Sequence, residues 1–174
     1  MSDIRLEDQT VGIYLRKMTV DDTDNIVKWR NKEAVRSRFL YREPFTPEGH
    51  LQWIKTKIDT GLAVQMIICT GEDKPIGSVY LRDIDRLNRK AEYGIFIGEE
   101  AALGKGYGTA AAKLMLRYGF EQLSLHKIFL RVLADNARAI ASYEKAGFVR
   151  EAYLQDEVFL DGKFCDIVFM AMIR

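Results

Sequence analysis

Apolar and polar residues alternate from Ile13 to Met18, the period of a strand with one buried face. From Asp21 to Asn31 the period changes: acids open the segment, and Ile26, Val27 and Arg30 follow at helical spacing. Thr46-Pro47-Glu48-Gly49 has the form of a cap followed by proline at the first helical position, leading into a helix through Leu51, Ile54 and Ile58. Two apolar runs, Ala63 to Thr70 and Pro75 to Ile84, flank Gly71-Glu72-Asp73-Lys74, a hairpin turn. A polar turn around Leu87 to Lys90 separates the second run from a further strand, Ala91 to Gly98.

The second half alternates helix and strand. The spacing predicts a long helix over Gly106 to Leu123 and a buried strand over His126 to Ala134. A second helix covers Asn136 to Ala146, with Gly147 in the C-cap position. The chain ends as strand, Asp161-Gly162 turn, strand. The pattern therefore predicts one α/β (α+β) domain over residues 1–174, with no linker and no repeat. The strand–helix–strand unit from Ala91 to Ala134 requires a parallel crossover inside a largely antiparallel sheet.

Composition narrows the function classes. The chain has 174 residues, enough to bury a substantial core, and 48% of them are hydrophobic against 29% charged. Net charge is +1 and the basic residues are dispersed, so nothing argues for nucleic acid or an anionic membrane as partner. Met1 to Thr10 is polar and acid-bearing, unlike a secretory signal, and the chain reads as cytoplasmic. Cys69 and Cys165 are far apart and read as separate thiols, without a disulfide framework. No HExxH, CxxC or GxSxG pattern is present, so no metal site is expected.

Chemistry enters with Gly104-Lys105-Gly106-Tyr107-Gly108-Thr109, placed between a strand and the start of the long helix. The first turn of a helix leaves backbone N–H groups unpaired and carries the positive end of the macrodipole. Glycines there let an anion approach those donors. A P-loop would need Lys-Ser/Thr after its last glycine, whereas Gly108 is followed by Thr109-Ala110. The antiparallel strands upstream do not suit a Rossmann unit. By itself the turn identifies only a phosphate cradle.

About 30 residues later comes Asn136-Ala137-Arg138-Ala139-Ile140-Ala141-Ser142-Tyr143-Glu144-Lys145-Ala146-Gly147-Phe148. Together the two blocks resemble the GNAT superfamily of N-acetyltransferases. Its Gln/Arg-x-x-Gly-x-Gly/Ala pattern falls on Leu103 to Gly108, with Leu103 a departure, and its Asn-x-x-Ala-x-x-x-Tyr-Glu-Lys-x-Gly-Phe signature falls on the second block. The resemblance implies a mixed, mostly antiparallel sheet splayed between its fourth and fifth strands and flanked by helices. It implies acetyl-CoA as cofactor, with pyrophosphate on the N–H groups of Leu103, Gly104, Lys105, Gly106, Tyr107, Gly108 and Thr109. Pantetheine would lie along Ile95-Phe96-Ile97. Asn136 and Ala139 would meet the cofactor arm, and Lys105, Arg138 or Lys145 the nucleotide phosphate.

Tyr143 matches the family's general acid. Glu92, at the start of the splayed strand, has two readings: a carboxylate that takes the amine proton through water, or a cross-strand ion pair. The acceptor side is expected among Trp29, Arg30, Asn31, Arg36, Arg38, Phe39, Tyr41, Thr46, His50 and Trp53, a cluster rich in cations and aromatics that reads equally as core tryptophans with solvated arginines. The Trp-Arg-Asn and Gly-His-Leu-Gln-Trp-Ile segments look like those of UDP-amino-sugar N-acetyltransferases, which would make Arg30, His50 and Trp53 substrate contacts. The chain is also similar to ribosomal-protein alanine N-acetyltransferases and, more distantly, to spermidine acetyltransferases. The expected acceptor is thus a small-molecule amine or a protein N-terminus, with a homodimer as one expected assembly. A catalytically silent acyl-CoA-binding module is the alternative of another class.

Overall fold

In the computed structural model, residues 4–174 are described; Met1–Asp3, the start of the expected domain and of the polar segment Met1 to Thr10, lie outside the described residues. The strands are β1 (Arg5–Asp8), β2 (Ile13–Lys17), β3 (Val64–Thr70), β4 (Pro75–Asp85), β5 (Lys90–Ile97), β6 (Lys127–Leu133), β7 (Val149–Leu160) and β8 (Lys163–Ile173). They form one eight-stranded sheet among the described residues, in the order β1-β2-β3-β4-β5-β6-β8-β7. Every pairing is antiparallel except β5 with β6. The expected fold class is the observed one. β1 was not anticipated, because four residues with a single central apolar side chain carry too little periodicity.

The helices are α1 (Thr23–Asn31), α2 (Glu33–Arg36), α3 (Pro47–Trp53), α4 (Tyr107–Glu121) and α5 (Ala137–Ala146). Thr46 caps α3 by accepting from the Gly49 N–H, Pro47 occupies the first helical position, and a wider π turn (Ile54–Ile58) continues the chain. Asn136 caps α5 at one end and Gly147 closes it at the other. No helix among the described residues is long and apolar enough to cross a membrane.

The two faces of the sheet bury different cores. On one, Leu15, Met66, Val79, Leu81, Tyr93, Ile128 and Leu130 pack with α4 and α5. On the other, Tyr14, Ile67, Cys69 and Phe96 pack with Ile26, Trp29 and Ile54 from the α1–α3 side. Period 2 explains the split, because Tyr93 and Phe96 on β5 point to opposite faces.

The far end of β5 is pinned to α1. Trp29 Nε1–H donates to Glu99 Oε1 at 2.7 Å, and Lys32 Nζ donates to the Gly98 carbonyl at 2.5 Å. Trp29 is 1% exposed, and a Cβ on Gly98 would overlap the root of its ring. Gly98→Ala should therefore destabilise the protein by about 1–3 kcal/mol through overpacking, read as a Tm drop of several degrees. An unchanged Tm would show that Trp29 can shift without cost.

Candidate active site

Parallel strands β5 and β6 share three register pairs, Lys90 with Lys127, Ala91 with Ile128 and Glu92 with Phe129. On its other side β5 stays paired with β4 as far as Ile97. Past Glu92 the sheet is therefore split, and the β6-facing edge of Tyr93 to Ile97 is open. The split opens into a cleft of about 1290 Å³. That volume exceeds the usual range for one small ligand, about 300–1,000 Å³, and leaves room for two molecules that must meet.

An ion cluster closes the base of the split. Glu92 is 6% exposed and its carboxylate accepts from Arg82 Nε and Nη2 at 3.1 and 2.9 Å. It also accepts from Arg131 Nε and Nη2 at 2.9 and 3.2 Å. Arg82 is its register partner on β4, and Arg131 reaches it from β6. The geometry realises the ion-pair reading of Glu92; as a proton acceptor it would compete with four guanidinium N–H donors.

At the other end lies the glycine turn. Gly104 and Gly106 have φ of +77° and +79°, and a Cβ at either would meet nothing within 4 Å. The residues are glycine because the turn is left-handed, and the side facing the cleft is clear for a ligand. No side chain caps α4, whose first bond runs from the Ala110 N–H to the Gly106 carbonyl. The N–H groups of Tyr107, Gly108 and Thr109 thus precede the helical ladder. A diphosphate fits this set of donors. Thr109 Oγ1 lies 2.8 Å from Ser142 Oγ, tying the turn to α5.

Tyr143 lines the cleft one residue on. Its ring is held edge-on by Tyr93 and Phe148, with centroids 6.0 and 5.9 Å away. Burial, then the neighbouring Tyr80, raises its phenol pKa above the ordinary value. It keeps its proton at neutral pH and remains a donor.

Ile95, Phe96, Ile97, Leu103, Asn136, Ala139 and Lys145 also line the cleft, with Arg30 and Trp53 on the α1–α3 side. Asn136 Oδ1 accepts from the Ala139 N–H at 3.3 Å, so it caps the helix as well. Lys105, an exposed residue of the turn, also borders a separate small hollow with Glu72, Lys74 and Glu99. One expected contact is corrected. His50 is 1% exposed, with Nδ1 at 3.0 Å from Thr23 Oγ1; it fastens α3 to α1 and does not wall the cleft. Burial lowers its pKa, favouring the neutral ring.

Sequence reasoning missed Tyr80, Arg82, Gln65 and Arg131, all on the cleft wall. The turn around Leu87 to Lys90 held a usable signal. Hairpin register sets Arg82 opposite Glu92 and Tyr80 opposite Gly94. Gln65 accepts from Trp53 Nε1–H at 3.1 Å and donates to Ser78 Oγ at 3.0 Å, a link that crosses elements and leaves no local pattern.

The family model for an acetyltransferase (GNAT) domain matches residues 13–149. The chain is 30% identical over 163 residues to a spermidine N(1)-acetyltransferase of Vibrio cholerae, covering 93% of each. It is 28% identical over 173 residues to YdaF of Bacillus subtilis, whose name assigns it provisionally to ribosomal N-acetyltransferases, covering 98% of this chain and 90% of that one. A solved spermidine N-acetyltransferase from Vibrio cholerae, in complex with CoA and spermine, superposes with TM-score 0.86 at 28% identity. That match covers 93% of this chain and 95% of the other.

A bulky residue at the turn tests the phosphate cradle. Gly106→Val forces a β-branched residue into left-handed backbone and places methyls before the α4 donors, so the Kd for acetyl-CoA should rise more than about tenfold. An unchanged titration, with the circular dichroism of the folded protein retained, would remove the turn from cofactor binding.

Proposed function

The chain belongs to the GNAT acetyltransferase family and is an acetyl-CoA-dependent N-acetyltransferase, and we propose that its acceptor is a small primary amine that attacks the thioester directly in a ternary complex. The observation carrying this reading is the split between β5 and β6, a cleft with a phosphate cradle at one end and Tyr143 on its wall. When bound, acetyl-CoA supplies a carbonyl carbon as electrophile and a sulfur as leaving group. Residues 1–174 act as a single domain in this reading.

The two sheet faces divide the labour. Tyr93, Tyr143 and the α4–α5 layer belong to one core, and Phe96 with α1 and α3 to the other. Leu103 to Thr109 hold the diphosphate from the first side. The open edge of Ile95, Phe96 and Ile97 pairs with the pantetheine amides, as an added strand would. Asn136, Ala139 and Lys145 border the same arm. Arg30 and Trp53 face the acceptor from the second side.

Backbone N–H groups on the open edge of β5 can donate to the carbonyl oxygen as negative charge builds there. The amine nitrogen forms the new C–N bond, the C–S bond breaks, and the departing sulfur takes the phenolic proton of Tyr143. Solvent returns a proton to Tyr143. Glu92 holds Arg82 and Arg131 at the base of the split and leaves the amine proton to water. Retention of a protonated, cleft-lining Tyr143 favours this enzyme over a silent acyl-CoA-binding module.

The acceptor expectation narrows in one respect. The named relatives act on spermidine or, provisionally, a ribosomal protein, so nothing in their names singles out an amino sugar nucleotide. The class we propose is the wider one of small primary amines.

Tyr143→Phe should lower kcat by about 100-fold while changing the KM for acetyl-CoA by less than about threefold. Because the phenol pKa is raised, the wild-type rate should show no alkaline fall below about pH 10. Full turnover in Tyr143→Phe would take the phenol out of the chemistry.

A further inference from the structure

Arg30 sits in the last turn of α1, 8% exposed and on the cleft wall. Its guanidinium makes no hydrogen bond or ion pair with any described residue, and Nη1 is fully buried without a partner. Phe39 covers it at 3.4 Å from ring centroid to Cζ, with Phe45 at 5.2 Å and Phe96 at 5.8 Å. Aromatic faces stabilise a cation that lies over them, but the guanidinium N–H bonds point outward in its plane. The three rings therefore leave Nη1 buried without an acceptor and give the other in-plane donors no protein partner, a costly state for a charge this buried.

The cage is built to hold that arrangement. Asn31 donates to the Phe45 carbonyl at 2.7 Å and accepts from the Phe45 N–H at 2.8 Å. Arg42 donates to the carbonyls of Phe39 and Ser37 at 3.1 and 2.7 Å and is itself anchored by Asp161. Phe39 and Phe45 are thus fixed by their backbones. Burial lowers the Arg30 pKa, yet a guanidinium stays charged at neutral pH.

Among the described residues no carboxylate pairs with Arg30. Arg30, Arg38, Arg82 and Arg131 line this cleft with two acids, Glu92 and Glu100; Glu92 is already shared by Arg82 and Arg131, and Glu100 makes no ion pair with Arg30. A polyamine would enter a field of its own sign. The phosphate cradle lies elsewhere, since Leu103 to Thr109 lead into α4 on the opposite sheet face.

We propose that Arg30 is the specificity-determining residue of the acceptor site and that it binds an anionic group, carboxylate or phosphate, carried by the acceptor amine. Carboxylate and phosphate each present a pair of acceptor oxygens that can take two parallel N–H bonds from the guanidinium edge the aromatic cage leaves unpaired. The inference rests on the amine-acetylation reading above and refines its acceptor class. It sets this chain apart from relatives named for spermidine.

The test uses matched pairs of amines in a thiol-release assay with acetyl-CoA. Alanine against alaninamide probes the carboxylate, and glucosamine 6-phosphate against glucosamine probes the phosphate. In at least one pair the anionic member should have the higher kcat/KM by roughly 30-fold or more, and spermidine should be poor. Arg30→Gln should bring that ratio toward one, and Arg30→Lys should recover part of it. Calorimetric binding of the same four compounds to the CoA-loaded protein reads the preference independently of turnover and of whether the variants fold. Equal use and equal binding within both pairs, or preference for spermidine, would overturn the inference while leaving amine acetylation intact. A ratio unchanged in Arg30→Gln, or a loss of acetyl-CoA affinity in its place, would also overturn it. Absence of amine-dependent thiol release with every compound would instead defeat the acetylation reading.

Discussion

Strands β5 and β6 run parallel for three register pairs and then part, although β5 remains bound to β4 through Ile97. Backbone donors and acceptors along one edge are thereby left for something other than the sheet. An unpaired edge inside a fold is costly and invites pairing, so the split is at once a strain on the sheet and a binding surface. Glu92 sits at the last shared pair with guanidiniums on both sides, joining β4, β5 and β6 just where pairing stops. Glu92 is the buried member of this cluster while Arg82 and Arg131 keep partial contact with solvent, so the cost of breaking it falls on the carboxylate left without its donors.

The split also lets two chemistries meet without sharing a wall. Side chains alternate along β5, so Tyr93 belongs to the α4–α5 core and Phe96 to the α1–α3 core. The glycine turn and Tyr143 sit with the first, Arg30 and Trp53 with the second. A thioester held from one side can then be approached by an amine from the other. Trp29 and Lys32 fasten α1 to the end of β5, so the α1 side of the cleft is positioned by that strand.

Much of this was legible in the sequence, for identifiable reasons. Period 2 and period 3.6 segments located β2 to β6 and the helices α1, α3, α4 and α5, and the alternating glycines before α4 marked a turn with free backbone donors. Asn136 and Gly147 announced both ends of α5. What escaped depended on partners distant in the chain. His50 was expected as a substrate contact on the resemblance alone, whereas Thr23 and Phe45, distant in the chain, enclose it as a structural residue. Arg82 and Arg131 carry no local signal of their role, which arises only when the strand pairing places Glu92 between them. The isolation of Arg30 likewise concerns what is absent around it, which no linear pattern records.

The most direct test of the account is peptide-level hydrogen exchange with and without coenzyme A. If the open edge of β5 receives the cofactor arm and the turn receives its phosphates, coenzyme A should slow exchange in both Gly94–Ile97 and Leu103–Thr109. β7, at the far edge of the sheet, should exchange as before. Protection confined to the turn, or absent from both segments, would contradict the claim that the split in the sheet is the binding surface.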